Sequence, residues 1–111
     1  MWMAADLDHP TAVTTAVLLK ALAEPLRWRI VELLADEELC VCHLVDELDV
    51  PQPLVSHHLR VLRDLGVVRT ERFRYWTYYR LDPAALAPLA ERLGALVAGA
   101  PDPATRRRPC C

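Results

Sequence analysis

Apolar residues fall at helical spacing four times in the first two thirds of the chain, and then the period changes. The first run, from about Thr11 to Leu22, sets Val13, Val17, Leu18 and Ala21 on one face. The second, from about Pro25 to Leu34, does so with Leu26, Ile30, Leu33 and Leu34. A third, from about Val41 to Leu48, carries Leu44, Val45 and Leu48. The turn Asp49-Val50-Pro51-Gln52 leads from it into a fourth, from about Pro53 to Leu65. The third and fourth runs read as a helix-turn-helix. In the fourth, Leu54, Val55, Leu59 and Leu62 are the inward stripe, leaving Ser56, His57, Arg60 and Arg63 outside.

After Gly66 the pattern becomes that of strands. Val67–Thr70 and Tyr75–Leu81 are rich in β-branched and aromatic residues, with Glu71 to Arg74 between them as a loop. A last helix follows Asp82-Pro83, from Ala84 to about Ala98. Its broad stripe of Leu86, Leu89, Ala90, Leu93, Leu96 and Val97 is more than so small a domain can cover alone. The expected fold is mainly α with a small β wing, a winged helix-turn-helix in the order α1-α2-α3-α4-β1-β2-α5. Residues 1–98 form the domain, and the Pro- and Arg-rich residues 99–111 form a flexible tail.

The chain's 111 residues suffice for one domain, so a larger core calls for a second copy of the chain. No apolar run is long enough to cross a bilayer, and Met1 to Asp6 lack the basic start of a secretory signal, so a cytoplasmic setting is expected. Net charge is only −2, but it is segregated. Glu32 to Asp49 hold seven acids and no Lys or Arg; His57 to Arg80 hold six arginines against Asp64 and Glu71. A basic segment that includes the second helix of a helix-turn-helix fits double-stranded DNA. The candidate contacts are Gln52, Ser56, His57, Arg60 and Arg63 on the helix, with Arg72 and Arg74 on the wing. His58 falls between the two faces and fits either a DNA contact or the core. Trp76 and Tyr78 alternate along a strand and read as packing and cover rather than as a base-stacking platform.

Four cysteines lie in two close pairs, Cys40/Cys42 and Cys110/Cys111. In a reducing compartment thiols stay free, so metal or redox chemistry outranks a structural disulfide. Cys40 and Cys42 open a helix, where backbone N–H groups favour thiolate, while Asp36, Glu37 and Glu38 push the other way. Two thiols this close form a soft chelate suited to As(III), Sb(III) or ions such as Cu(I), Zn and Cd, with His43 adjacent. A thiol enzyme is not expected: the spacing is Cys-x-Cys rather than Cys-x-x-Cys, and neither a βαβ pattern nor a Gly-rich loop surrounds it.

The runs Glu38-Leu39-Cys40-Val41-Cys42-His43-Leu44, Gln52-Pro53-Leu54-Val55-Ser56-His57-His58-Leu59 and Tyr79-Arg80-Leu81 closely resemble the ArsR/SmtB family of metal-responsive repressors. The likeness covers about Leu19 to Leu81 and the last helix. It implies a homodimer joined through the first and last helices, the fourth helix in the major groove, the wing beside it, and release from operator DNA when the thiols bind a metalloid. Two departures stand out: Pro51 where the family often caps the recognition helix with Ser or Thr, and Arg74 where a wing-turn Gly is usual. The latter raises the expectation of a longer wing loop or a different turn. In the arsenic-responsive branch a third thiol lies one helical turn after the second, and here that residue is Val45. The third donor is then Cys110 or Cys111 from a tail, the preferred source, or an exogenous thiol, or His43. The last helix carries no His, which argues against a zinc site at the dimer interface. Rival readings are a sensor of Ni, Zn or Cd, and a regulator controlled by a partner protein.

Overall fold

The computed structural model describes residues 13–100 and 107–110. Helix α1 spans Thr15–Leu22. It starts later than Pro10 suggests because Thr14 is the cap, its Oγ1 accepting the Val17 amide at 3.2 Å; Thr11, the expected start, lies outside the described residues. Helix α2, Pro25–Asp36, has Glu24 as its cap and Pro25 in its first turn. Helix α3 is Val41–Leu48 and α4 is Gln52–Asp64. Between them Asp49 takes a left-handed φ of 54° and its amide returns to the Val45 carbonyl at 2.8 Å. Asp tolerates that conformation better than most non-glycine residues, so the turn stays tight without a glycine.

Helix α4 ends in a Schellman motif. Gly66 adopts φ 79° and donates to the Arg63 carbonyl at 2.9 Å, while Val67 donates to Leu62 at 3.0 Å. The chain then enters β1, Val68–Phe73, which pairs antiparallel with β2, Trp76–Leu81. Of the two expectations for the wing tip, a longer loop or a different turn, the turn is what forms. Pairing continues to Phe73 and Trp76, and only Arg74 and Tyr75 make the turn, with Arg74 at a positive φ of 58° in place of glycine. Stacking of the Arg74 guanidinium on Phe73, 5.4 Å from the ring centroid, helps hold this conformation. Helix α5, Pro83–Ala98, is capped by Asp82, which accepts the Ala84 amide at 3.1 Å.

One apolar core joins these elements: Leu18 and Leu22 of α1, Ile30, Val31 and Leu34 of α2, Leu44 of α3, Val55, Leu59 and Leu62 of α4, with Val67, Val68 and Leu89. Ile30, Leu44, Leu59 and Leu62 are almost wholly enclosed, each contributing roughly 1.5–3 kcal/mol by burial. Leu54, expected inside, is 38% exposed, and His58 takes a place in the core instead. Positions 55, 58, 59 and 62 are the true inner stripe of α4. Val17 likewise faces outward while Leu18, Ala21 and Leu22 are buried. Only Leu89 of α5 is buried; Leu96 and Val97 are 73% and 80% exposed. An open apolar groove of about 450 Å³ between α5 and the first two helices is lined by Leu19, Leu22, Trp28, Leu86, Ala90 and Leu93, among others. No described helix is long and apolar enough to cross a membrane.

Candidate functional site

The thiol pair occupies the N-terminus of α3. Cys40 is its buried N-cap residue and Cys42 lies exposed in its first turn, both with free thiols. Their Sγ atoms are 3.0 Å apart. The reverse half of a capping box is present: the Cys40 amide donates to His43 Nδ1 at 3.1 Å, which swings the imidazole back over the sulfurs. As a result Cys40 Sγ lies 3.2 Å from His43 Nδ1, and the donor atoms of Cys40, Cys42 and His43 all fall within 4.8 Å of one another.

These separations suit a single thiophilic ion. A metal–sulfur bond is about 2.3 Å, so two sulfurs closer than about twice that distance can share one centre. The Cys42 thiol does not behave as a helix N-terminus alone would dictate. The Cys42 thiol is pushed up, chiefly by its hydrogen bond to Cys40, then by desolvation and the Cys40 charge; the amides of His43 and Cys42 pull it down by less. The proximity that makes the pair a chelate therefore outweighs the dipole effect expected from sequence.

Of the preferred tail thiols, Cys110 is not part of this cluster among the described residues. Cys110 is exposed and free, and Cys111 lies outside the described residues. Among the described residues His43 is the third donor brought to the pair. Val45, at the position where a third thiol would stand, packs half-buried against the core. Around His43, a cavity of about 450 Å³ is lined by Glu37, Glu38, Asp46, Glu47 and Tyr78.

The candidate nucleic-acid face lies on the outer side of α4 and the wing. Gln52, His57, Arg60 and Arg63 are exposed and Ser56 is partly so. A cavity of about 430 Å³ between α4 and β2 gathers Ser56, Arg60 and Arg63 with Asp64 and Tyr79. Arg72 and Arg74 are exposed on the wing, as are Phe73, Tyr75 and Trp76; Tyr75, at 90%, projects from the turn. The expected packing role of Trp76 is not realised within this chain. Arg69 is committed to structure, its Nε donating to Asp82 Oδ2 at 2.6 Å.

His58 does not share the outer face. It is 6% exposed, with its Nδ1 accepting from an Arg27 guanidinium N–H at 3.1 Å and its Nε2 3.8 Å from Glu24 Oε1. The reading of His58 as a DNA contact is therefore replaced by one in which it packs against the start of α2. Sequence inspection missed Arg27 and Glu24. Glu24 before Pro25 is a helix-cap signal, but nothing in the pattern marks Arg27 as a partner 31 positions from His58.

Residues 24–70 match the family model of bacterial regulatory proteins of the arsR family. The chain is 43% identical over 72 residues to an arsenic resistance transcriptional regulator of Pseudomonas putida, the aligned part covering 64% of this chain and 56% of the relative. It is 51% identical over 70 residues to the HTH-type transcriptional repressor SmtB of Mycobacterium tuberculosis, covering 63% and 52% respectively. The chain thus spans just over half the length of these two relatives. A solved structure of a possible transcriptional regulator for arsenical resistance superposes with a TM-score of 0.63 at 34% identity, over 82% of this chain and all of that one. These relatives are transcriptional regulators, not enzymes.

Proposed function

This chain belongs to the arsR family of bacterial regulatory proteins, and on that premise we propose that it is a cytoplasmic homodimeric repressor that releases operator DNA when Cys40, Cys42 and His43 bind As(III) or Sb(III). The observation that carries the reading is the convergence of two thiols and an imidazole at the cap of the helix that precedes the DNA-reading helix.

A bound thiophilic ion would supply a rigid chelate across the cap and first turn of α3. His43 Nδ1 cannot keep accepting the Cys40 amide and also offer its lone pair to the ion, so ligation by this nitrogen competes with the cap. Leu44, next in sequence, is fully enclosed against Val55, Leu59 and Leu62 of α4 through the shared core. A rearranged first turn of α3 is therefore felt by α4. The ligand lowers DNA affinity by binding the rearranged form more tightly than the DNA-bound form.

Dimerisation is supported by the uncovered apolar faces of α1, α2 and α5, including Val17, Trp28, Leu93, Leu96 and Val97. DNA contacts fall to Gln52, Ser56, His57, Arg60 and Arg63, with Arg72 and Arg74 on the wing.

A second reading has one observation in its favour. The third donor is an imidazole flanked by Asp46 and Glu47, which suits Zn or Cd as well as a metalloid. Native mass spectrometry of the reduced dimer, loaded with arsenite, Zn or Cd and challenged with each of the others, decides between them. One arsenic per chain that Zn does not displace, absent in Cys40→Ser/Cys42→Ser, is expected. Retention of Zn or Cd in preference to arsenic overturns the metalloid assignment, and retention after cutting the tail before Cys110 keeps the site on α3.

A further inference from the structure

Among the described residues His58 is the one polar side chain enclosed in the core. It sits on the inner face of α4, opposite His57 and Arg60. Burying an imidazole where a leucine would fit is costly unless its partners are in place, and here they are.

Arg27 uses two arms of its guanidinium. Nε donates to the Ala21 carbonyl at 2.6 Å and NH1 donates to His58 Nδ1 at 3.1 Å. Ala21 is in the last turn of α1, where carbonyls lack intrahelical partners and a cation is favoured. Arg27 is itself fixed from below: Glu24 Oε1 accepts the amides of Leu26 and Arg27 at 2.6 and 3.0 Å. The fork thus ties the end of α1 to the inner side of α4 through the first turn of α2.

We propose that Arg27 and His58 are positioning residues, a clamp that sets the angle at which α4 presents its DNA-reading face relative to the dimerisation helix α1. This rests on the reading of α4 as the DNA-contacting helix. Two reading heads of a dimer must match half-sites one helical turn apart, so a fixed α1–α4 angle has direct value for affinity. A directional fork holds an angle better than apolar packing, and Lys cannot reproduce it.

The clamp requires neutral His58, because Nδ1 must keep its lone pair to accept from Arg27. The groups facing the ring are Glu24 and Arg27 of the α2 start and His57 of α4. Burial pushes the His58 pKa down, Arg27 and His57 push the same way, and Glu24 opposes them. Because the folded-state value is lowered, the clamp is complete above the ordinary His range, about 6.5, and is lost only as pH falls through the folded value beneath it.

The test measures binding of the full-length dimer to its own upstream DNA from about pH 7.5 to 5.5, with hydrogen exchange of the α4 amides. Wild type loses affinity on acidification. His58→Asn, which keeps an acceptor near Nδ1 but does not titrate, loses the acid step. Arg27→Met binds roughly tenfold more weakly at the higher pH and exchanges α4 amides faster, the size expected for a lost charge-assisted hydrogen bond. An acid step undiminished in His58→Asn, or wild-type affinity and exchange in Arg27→Met, overturns the clamp. If Arg27→Met fails to fold, the His58→Asn profile still decides. If wild type binds no DNA, the reading of α4 fails, and α4 exchange in His58→Leu still decides the clamp: faster exchange is expected, and wild-type exchange overturns it.

Discussion

Leu39 and Tyr79 are joined by two backbone hydrogen bonds, Leu39 donating at 3.1 Å and Tyr79 donating back at 2.7 Å. The residue immediately before Cys40 is thereby stitched to the second wing strand, so the thiol site touches the wing as directly as it touches α4. Ligand binding at Cys40 should move the wing. Fluorotryptophan NMR separates Trp76 from Trp2 and Trp28, and the expected result is a Trp76 shift on adding arsenite that is absent in Cys40→Ser/Cys42→Ser. A stationary Trp76 alongside loss of DNA binding would leave α4 as the sole route.

The apolar face of α5 carries the dimer in this account. Leu93 lines the open groove with Trp28, and Leu96 continues the stripe in solvent. Introducing a charge at either position should be incompatible with burial against a second copy. Leu93→Glu and Leu96→Glu are expected to run as monomers by light scattering and to lose at least about tenfold in DNA affinity, since one half-site is then read alone. An intact dimer in both variants contradicts this interface.

The base of the wing has an acid-labile fastening. Asp82 is held below the ordinary carboxylate range, first by the Arg69 hydrogen bond and then by the Ala84 amide. Because the folded-state value is lowered, the contribution is fully present above the ordinary Asp range, about 4, and is lost as pH falls through the folded value. Thermal melts from neutral pH downwards should show a decline below about pH 4 that is smaller in Asp82→Asn, which starts less stable at neutral pH. Parallel pH profiles for the two proteins would remove Asp82 from the account.

Two leucines ten residues apart, Leu44 and Leu54, provide a test of the helix-turn-helix packing. Leu44 is fully enclosed and Leu54 is not. Denaturant titration should give a loss of about 2–5 kcal/mol for Leu44→Ala. Leu54→Ala should cost no more than about 1 kcal/mol. Equal losses would mean that α4 is rotated from the orientation described.

Much of this architecture could be read from spacing. Leu44 and Leu48 mark α3, Pro53 and Gly66 bracket α4, and Asp82-Pro83 announces α5, because caps, stops and periodicity are local signals. What spacing could not show was which of two adjacent positions turns inward. Leu54 was expected inside because hydrophobicity favours Leu, and His58 was open to either face until the Arg27 fork, a tertiary contact, made a buried His acceptable. Between a longer wing loop and a different turn spacing could not choose for a related reason: Arg74 adopts a glycine-like φ supported by cross-strand pairing and Phe73, neither visible in the turn residues themselves. At the thiol site the pair was evident. His43 stood among the candidate third donors, but the reverse cap that brings it to the sulfurs was not evident, since it depends on the way the α3 terminus folds.

The central claim is that the α3 thiols control DNA binding. Fluorescence anisotropy of labelled upstream DNA with the reduced dimer, titrated with arsenite, antimonite, Zn, Cd and Ni, tests it most directly. Arsenite or antimonite is expected to release the DNA from wild type and to leave Cys40→Ser/Cys42→Ser bound, with His43→Ala requiring roughly tenfold more ligand. DNA that stays bound at saturating arsenite and antimonite, or that is released equally from the double-serine variant, contradicts it.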